Sequence, residues 1–420
     1  MSSAVTGTRL PVLRRPLALD RLAPWIALFL PLFIYNVGFR YVGSGDTAPA
    51  ELLPIAILDG HGFDFREFVS SGDIPYWFRL ERGRVLSSYP VLPGLMNVPV
   101  YAAARLAGFD LLAHRRLLSL ITASVTTALS VYFLYLALTY VCRSEKEALL
   151  FALAFAFGTT AWSIASRGAW QHGPSLLFLS VALWGLFRGG TTVPLAGLAL
   201  GLAVVNRPTN VLIAAPLALY VLRYERRRAL RFAGLALLPA LFHLWYAKTY
   251  WGTPWSLAQK VPRGNFDGPF WTGLAGILVS PSRGLFVFSP IFLFAIPGAI
   301  DALAPAPPGR ARLPRYLAAG VALTILLYSR WSIWWGGHSF GYRLLTELAP
   351  LSIVLVAAAW PSLEQIPGAR VLFGICLAAS LYVHFLGAMI YPSGFDNDID
   401  TQPARLWSIR NSEFDLSTRK

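Results

Sequence analysis

The chain of 420 residues is 55% hydrophobic and only 14% charged, and its mean hydropathy is +0.53. A soluble protein of this length cannot cover so much apolar surface, so the composition excludes an ordinary soluble enzyme. The net charge of +15 does not indicate nucleic-acid binding. Much of the basic charge falls in short segments between apolar stretches, where it orients helices and meets anionic lipid.

The apolar stretches predict an all-α polytopic membrane protein with about eleven membrane helices, since about 20 apolar residues span the hydrocarbon core. In chain order the predicted helices are 22–39, 117–141, 148–166, 169–187, 191–206, 208–222, 230–250, 284–300, 316–332, 347–363 and 371–391. Two long segments, 40–116 and 251–283, connect helices outside the membrane. We expect residues 1–392 to form a single transmembrane domain, followed by a short polar tail, 393–420.

Basic residues predict the orientation of the helices, because short basic segments are typical of the cytoplasmic side. Three such segments fall on one side of an eleven-helix arrangement: the N-terminus with Arg9, Arg14, Arg15 and Arg21, the segment 223–228, and the loop with Arg310, Arg312 and Arg315. The two long segments and the tail then lie on the outer side. These outer segments contain most of the unusual polar and aromatic residues, so we expect function at the outer face.

Residues 88–108 are apolar enough for a twelfth helix but contain Pro90, Pro93 and Pro99. A full span here would reverse every later loop and place the basic loops outside. We therefore predict an interfacial or half-inserted helix in the first outer segment, and the sequence leaves a full crossing open.

Asp46 follows the first predicted helix, within a Gly-Asp-Thr-Ala-Pro run. One interpretation is a helix cap, in which Asp46 or Thr47 bonds free amides of a short helix that begins near Ala48. The other is a catalytic base at the membrane surface. Partial burial at a helix end would raise the pKa of Asp46 and make it a better proton acceptor near neutral pH.

Metal-binding patterns are weak in this chain. His61 lies close in sequence to Asp59 and Asp64, but spacing alone gives little support for a metal site. Cys142 and Cys376 lie at or within apolar segments and form neither a disulfide framework nor a metal-binding spacing. The sequence therefore implies no certain cofactor and leaves a divalent cation open.

The segment 166–174 joins two predicted helices on the outer side and contains Arg167, Trp170 and His172. One interpretation is a solvated turn between two helices, in which Arg167 extends to the membrane interface and Trp170 is part of the interfacial aromatic belt. The other is part of a site. In that case Arg167 and His172 line the substrate, together with Tyr89 of the first outer segment.

Arg207 interrupts an apolar stretch, just before Pro208. A charged side chain at such a break costs free energy unless it has a partner, and broken backbone at membrane depth is tolerated mainly where it lines a wet cavity. Pro208 begins a helix whose N-terminus favours an anion. A lipid phosphate is the predicted partner, and a turn with Arg207 reaching the headgroups is the alternative.

The segment 331–343 combines three Trp, three Gly, a His, a Tyr and an Arg. The glycines permit tight turns or close ligand approach, and the Trp rings offer flat faces for a sugar or isoprenoid. Arg343 is predicted to bind phosphate bidentately. We expect Trp335, His338 and Tyr342 to line the substrate, with an interfacial anchor as the alternative interpretation.

Arg283 is a further candidate for anion binding. It lies in a Ser-Pro-Ser-Arg-Gly run that opens the helix predicted at 284–300. The three arginines Arg207, Arg283 and Arg343 are therefore the predicted phosphate ligands.

This arrangement resembles the GT-C superfamily of membrane glycosyltransferases, and within it the bacterial branch of protein O-mannosyltransferases and lipid A aminoarabinose transferases. The resemblance depends on Asp46 after the first helix, the long first outer segment, Arg-Pro-Thr at 207–209, and the Trp-rich run that ends at Arg343. It implies a GT-C-like fold, a polyprenyl-phosphate-linked sugar as donor, and transfer on the outer face of the bacterial plasma membrane. It also implies a catalytic or acceptor-binding acid at Asp46. Members commonly have Asp-Glu there, whereas this chain has Asp46-Thr47.

The residues then suggest an inverting glycosyltransferase. A lipid phosphate leaves without a general acid, so the three arginines would stabilise its charge while Asp46 takes the proton of an acceptor hydroxyl. A single base without an enzyme nucleophile predicts inversion at the anomeric carbon. The sequence does not distinguish a lipid, glycan or protein acceptor. Membrane lipids are expected to surround the protein, and no nucleic-acid partner is expected. The alternative is a transporter or flippase of lipid-linked sugars. Transporters often contain internal repeats with matched broken helices, whereas this sequence shows one broken pair and no matching second half.

Overall fold

The computed structural model describes residues 18–70, 73–253, 264–391, 398–410 and 412–418. Arg9, Arg14 and Arg15 of the predicted basic N-terminus lie outside these residues. The described helices are α1 Ala18–Asn36, α2 Ala48–Leu58, α3 Leu92–Leu106, α4 Leu111–Leu138, α5 Glu145–Phe157, α6 His172–Arg188, α7 Val193–Asn206, α8 Val211–Tyr224, α9 Arg226–Tyr246, α10 Phe270–Val279, α11 Leu285–Phe288, α12 Ala295–Asp301, α13 Leu313–Tyr328, α14 Leu348–Leu363, α15 Ala369–Met389 and α16 Glu413–Thr418.

Membrane-length helices are fewer than the sequence predicted. Within the described residues, four stretches are long and apolar enough to cross a bilayer: Arg21–Phe39, Leu111–Leu138, Arg226–Trp251 and Ala369–Met389. Shorter apolar helices include Gly190–Asn206 and Leu348–Leu363. By length and composition this is a helical membrane protein, and the count of eleven spans is not confirmed.

Nine of the eleven predicted segments largely coincide with one helix each, and two are interrupted. Residues 148–166 divide into α5 and a π-helical turn, Ala161–Ala165. Residues 284–300 divide into α11, a 3-10 turn Pro290–Phe294, and α12. Pro290 has no backbone N–H to donate, and Ser289 before it adopts a non-helical φ of −130° and ψ of 71°, as a residue before proline tends to do. The break therefore follows from Pro290, which apolar length alone does not reveal.

The first outer segment contains more structure than predicted. Helices α2 and α3 flank a hairpin of two antiparallel strands, β1 Phe78–Glu81 and β2 Arg84–Ser87. The hairpin turns at Arg82 (φ 51°) and Gly83 (φ 72°); both residues are in the left-handed region, as a tight two-residue turn requires. Helix α3 lies within the stretch predicted as an interfacial helix. In the second outer segment, helix α10 was not foreseen.

The loops separate into two ends of the helix assembly. At one end, Arg312 donates to the Tyr224 hydroxyl at 3.1 Å, and Arg310 donates to the Arg188 carbonyl at 2.7 Å. At the other end, the Val42 amide donates to the Arg167 carbonyl at 2.9 Å. The basic loops predicted for one side thus contact each other, away from the loops that contain Asp46 and Arg343.

Candidate active site

The loop between α1 and α2 positions Asp46. Its backbone amide donates to the Ser44 hydroxyl at 3.1 Å, and the Thr47 hydroxyl donates to the Ser44 carbonyl at 2.8 Å. Thr47 is the N-cap residue of α2 but makes no side-chain cap bond, and the Asp46 carboxylate bonds other groups. The helix-cap interpretation is therefore wrong.

Three side chains from distant segments converge on the Asp46 carboxylate. Arg343 donates to Oδ2 at 2.7 Å, while the hydroxyls of Tyr89 and Tyr76 donate to Oδ1 at 2.5 and 3.1 Å. Burial alone would raise the pKa of Asp46, but Arg343 and the two tyrosines outweigh it and hold the pKa below its ordinary value. The expectation of a raised pKa is thus wrong, because it counted burial without these donors.

Arg343 is held from three sides. Besides Asp46, its guanidinium donates to the Gly336 carbonyl at 2.5 Å and lies over the Trp170 ring, 5.0 Å from the centroid. Gly336 and Gly337 have φ values of 75° and 72°, which only glycine adopts without strain. The glycine pair thus folds the Trp-rich segment back so that its carbonyl faces Arg343.

Asp46 and Arg343 line a cavity of about 200 Å³. The remaining lining residues are Ser44, Gly45, Tyr76, Tyr89, Trp331, Ile333, Gly336, Gly337, His338, Leu344 and Asp400. Among the predicted substrate-lining residues, the cavity therefore includes Tyr89 and His338. His338 pairs with Asp400 at 3.1 Å. The Trp335 indole also donates to Asp400 at 3.1 Å but lies outside the lining.

Arg207 belongs to a neighbouring buried cluster. It donates to both oxygens of Glu347 at 3.0 Å and to the Tyr328 hydroxyl at 2.6 Å. His172 contacts the same carboxylate at 2.8 Å. The cluster does not line the cavity, but it lies directly behind it, because the Trp170 ring is 6.3 Å from the His172 ring and 5.0 Å from the guanidinium of Arg343.

Arg283 lies away from the cavity, in a closed ion pair with Glu413 of α16. Its Nε donates to the Trp335 carbonyl at 2.9 Å, and Glu413 accepts from the Gly341 amide at 2.9 Å. Arg283 therefore fastens the Trp-rich segment to the C-terminal region, and both its side chain and that of Glu413 are fully buried.

The last two predicted lining residues are also buried in the protein. The Tyr342 hydroxyl lies 2.7 Å from that of Ser289 and accepts from the Thr160 amide at 3.3 Å. Arg167 donates through Nε to the Trp162 carbonyl at 3.2 Å and is not exposed. Neither residue lines the cavity that contains Asp46.

Sequence reasoning missed several residues around the cavity. Tyr76 and Asp400 gave no signal, since an isolated tyrosine or acid in a loop resembles many solvated ones. Glu347 did give one, because it is an acid at the start of an apolar helix, and such a charge needs a partner.

Metal ligands do not gather in the described part of the chain. No group of three or more His, Cys, Asp or Glu side chains there is placed to hold an ion. His61 pairs with Glu67 at 2.9 Å, rather than closing a site with Asp59 and Asp64.

Comparison with known proteins leaves the family open. No family model matches the chain, and no curated protein does. Among solved structures, the oligosaccharyltransferase of Archaeoglobus fulgidus tethered to an acceptor peptide aligns with a TM-score of 0.47 and 12% identity, over 93% of this chain and 59% of that chain. The same protein with Zn and sulfate gives 0.47 and 13%, over 94% and 58%. A third structure, the archaeal oligosaccharyltransferase AglB from Archaeoglobus fulgidus with an inhibitory peptide and a dolichol-phosphate, gives 0.45 and 12%, over 94% and 60%.

This chain thus spans less than two thirds of the length of those chains. At such identities and TM-scores the similarity identifies neither a family nor an activity.

Proposed function

We propose that this protein is a membrane glycosyltransferase of GT-C type, which moves a sugar from a polyprenyl-phosphate donor to a hydroxyl acceptor on the outer face of a bacterial plasma membrane. The observation that carries the proposal is the Asp46–Arg343 ion pair in the wall of a cavity. A carboxylate and a guanidinium that share a cavity supply the two groups that this transfer requires, a proton acceptor and a cation for the leaving phosphate.

The ion pair suggests how donor binding prepares the base. A phosphate that enters the cavity competes with Asp46 for the guanidinium of Arg343, since both are oxyanions that pair with its N–H groups. Once Arg343 turns to the phosphate, Asp46 loses the contact that most lowers its pKa. Asp46 then becomes a stronger base in the same step that brings in the sugar.

The transfer itself balances with these two residues. The acceptor oxygen forms a bond to the anomeric carbon, the bond from that carbon to the phosphate oxygen breaks, and the electron pair leaves with the phosphate. The acceptor proton goes to Asp46, and Arg343 stabilises the charge on the phosphate. A single displacement of this kind inverts the anomeric carbon.

Other residues in and behind the cavity wall have supporting roles in this proposal. Tyr89 and Tyr76 hold the carboxylate of Asp46, and His338 with Trp331 borders the sugar. Arg207, paired with Glu347, lies behind Trp170. It helps to hold the Trp170 ring against which Arg343 packs. Since cavities for drug-sized ligands measure about 300–1,000 Å³, a cavity of about 200 Å³ suits the phosphate and one sugar end, with the isoprenoid in the membrane.

Deletion of the gene, followed by complementation, tests the proposal. Mass spectrometry of lipid-linked sugars and glycans should show a donor that accumulates and a product that disappears in the deletion strain. The wild-type chain should return the donor to its normal level and restore the product. Asp46→Asn should do neither, because its transfer rate is reduced about 10²–10⁴-fold.

Asp59→Asn is the matched control. Asp59 also pairs with an arginine of this outer region, Arg105, but does not line the cavity, so this variant should complement fully. Full complementation by Asp46→Asn would refute its role as base. Movement of a lipid-linked sugar across vesicles, without any transfer, would favour the transporter or flippase instead.

A further inference from the structure

A second and larger cavity lies on the other side of the loop that contains Asp46. Its volume is about 690 Å³, and Ser44 and Gly45 line both cavities. A Cβ at Gly45 would lie 2.5 Å from the Trp77 ring, which lines the larger cavity, and 2.5 Å from the Tyr76 hydroxyl, which lines the smaller one. Backbone at Ser44 and Gly45 thus separates the two cavities, and Asp46 is the next residue in the chain.

Glu51 forms a buried polar wall of this larger cavity. Its side chain is only about 6% exposed, lies 2.9 Å from the Thr47 hydroxyl, and accepts from the Tyr41 hydroxyl. Burial raises the pKa of Glu51 above its ordinary value, against the hydrogen bonds and Arg115 and Arg116.

Two arginines of the first turns of α4 face the same cavity. Arg115 lies 3.8 Å from Glu51, and Arg116 lies over the Tyr41 ring, 5.7 Å from its centroid. Within the residues that the structure describes, Arg116 has no hydrogen bond or ion pair to a protein group. Of the charged side chains in the described lining, Glu51 pairs with Arg115 at 3.8 Å and Glu67 pairs with His61 at 2.9 Å. Arg116 is therefore the lining cation that remains for an anionic ligand.

We propose that the larger cavity binds the acceptor, and that this acceptor carries an anionic group held by Arg115 and Arg116. The proposal rests on the glycosyltransferase function proposed above. The anion, a phosphate or carboxylate, pairs with the guanidinium groups, while Trp77 and Phe68 of the lining pack against the sugar or apolar part. The acceptor hydroxyl then approaches Asp46 at the edge formed by Ser44 and Gly45, which both cavities share.

Anion binding by the full-length chain in nanodiscs tests the proposal without turnover. Inorganic phosphate and succinate are the probes, titrated by calorimetry in zwitterionic phosphatidylcholine. Wild-type protein should bind at least one of them saturably. Arg116→Gln should weaken that binding about tenfold or more, as expected for a lost charge-assisted contact, and Arg116→Lys should recover part of it.

The control is Arg105→Gln, which removes the same charge from the neighbouring helix α3, where Arg105 pairs with Asp59. It should leave anion binding unchanged. Absence of saturable binding in the wild type, or equal losses in Arg116→Gln and Arg105→Gln, would overturn the anionic-acceptor proposal. Arg116→Gln should stay folded because Arg116 makes no hydrogen bond within the described residues, and its melting temperature checks this.

Phosphatidylglycerol in the nanodiscs separates the two sources of the anion. If phosphatidylglycerol competes with the probe, and Arg116→Gln abolishes this competition, the acceptor is a lipid. If phosphatidylglycerol leaves probe binding unchanged, the acceptor is soluble. Asp46→Asn should still bind the probe. If the probe binds but the wild type transfers no sugar, the proposed function fails while the anion site stands. If the probe does not bind but the wild type transfers sugar and Asp46→Asn does not, the reverse holds.

Discussion

Arg343 and Arg283 were predicted for the same task, and both form ion pairs with distant carboxylates, yet their surroundings differ. The Arg343 and Asp46 side chains are 15% and 20% exposed in the wall of a cavity, whereas those of Arg283 and Glu413 are 1% and 0% exposed. A buried pair stays fixed, because removal of one partner leaves an unpaired charge. A pair beside a cavity can exchange its partner for a ligand. Access to a cavity therefore separates a candidate site from a structural clamp.

Glu413→Gln is the strongest test of the clamp. Loss of this carboxylate leaves Arg283 charged and buried, so the free energy of unfolding should fall by about 3–5 kcal/mol. Thermal or denaturant unfolding in detergent measures it. The transfer rate per folded molecule should change far less, because neither residue lines the cavity.

Asp398→Asn is the matched control for that change. Asp398 pairs with Arg405 in the same C-terminal region, but these side chains are 40% and 27% exposed, so the cost should stay within about 1 kcal/mol. Equal destabilisation by Glu413→Gln and Asp398→Asn would contradict the contrast between buried and exposed pairs.

Arg343→Gln is expected to do the opposite of Glu413→Gln. Loss of a cation that stabilises the leaving phosphate should lower the transfer rate about 10²–10³-fold, with only a small change in unfolding free energy. Arg105→Gln, which breaks the exposed pair with Asp59, is the control. A large loss of stability with normal transfer in Arg343→Gln would mean that this pair, too, is only structural.

The contrast also shows how far sequence reasoning reached. Position alone singled out Asp46, and the glycine-rich segment singled out Arg343. Three arginines looked equivalent because their partners are remote: Glu347 follows Arg207 by 140 residues and Glu413 follows Arg283 by 130. Such pairing is set by tertiary packing, and no local pattern contains it.

The fold, too, was only partly predictable from the sequence. Apolar length predicted most helices, because burial in lipid selects for it. It missed the break at Pro290, and it missed the hairpin, whose turn at Arg82 and Gly83 lacks the usual Asn-Gly or Asp-Gly signal.

Tyr89→Phe tests how the tyrosines support Asp46. Its hydroxyl is 2.5 Å from the carboxylate, and that of Tyr76 is 3.1 Å away. A hydrogen bond to a charged group contributes about 1.5–3 kcal/mol, so Tyr89→Phe should reduce transfer about tenfold. Tyr76→Phe, with the longer bond, should reduce it less. The reverse order would show that Tyr89 does not hold the base.

The smallest effect concerns pH. Because the folded pKa of Asp46 is lowered, its contribution to stability is fully present above the unfolded pKa of about 3.9 and is lost only as pH falls through the lower folded value. The free enzyme should therefore show no acid limb from Asp46 in kcat/KM between about pH 5.5 and 8.

In Arg343→Gln the main group that lowers the pKa is gone while burial remains, so the residual activity should acquire an acid limb at higher pH than in the wild type. Asp59→Asn should leave the wild-type profile unchanged. Identical profiles for the wild type and Arg343→Gln would mean that Arg343 does not control the charge of Asp46, and the exchange of partners on donor binding would lose its physical basis.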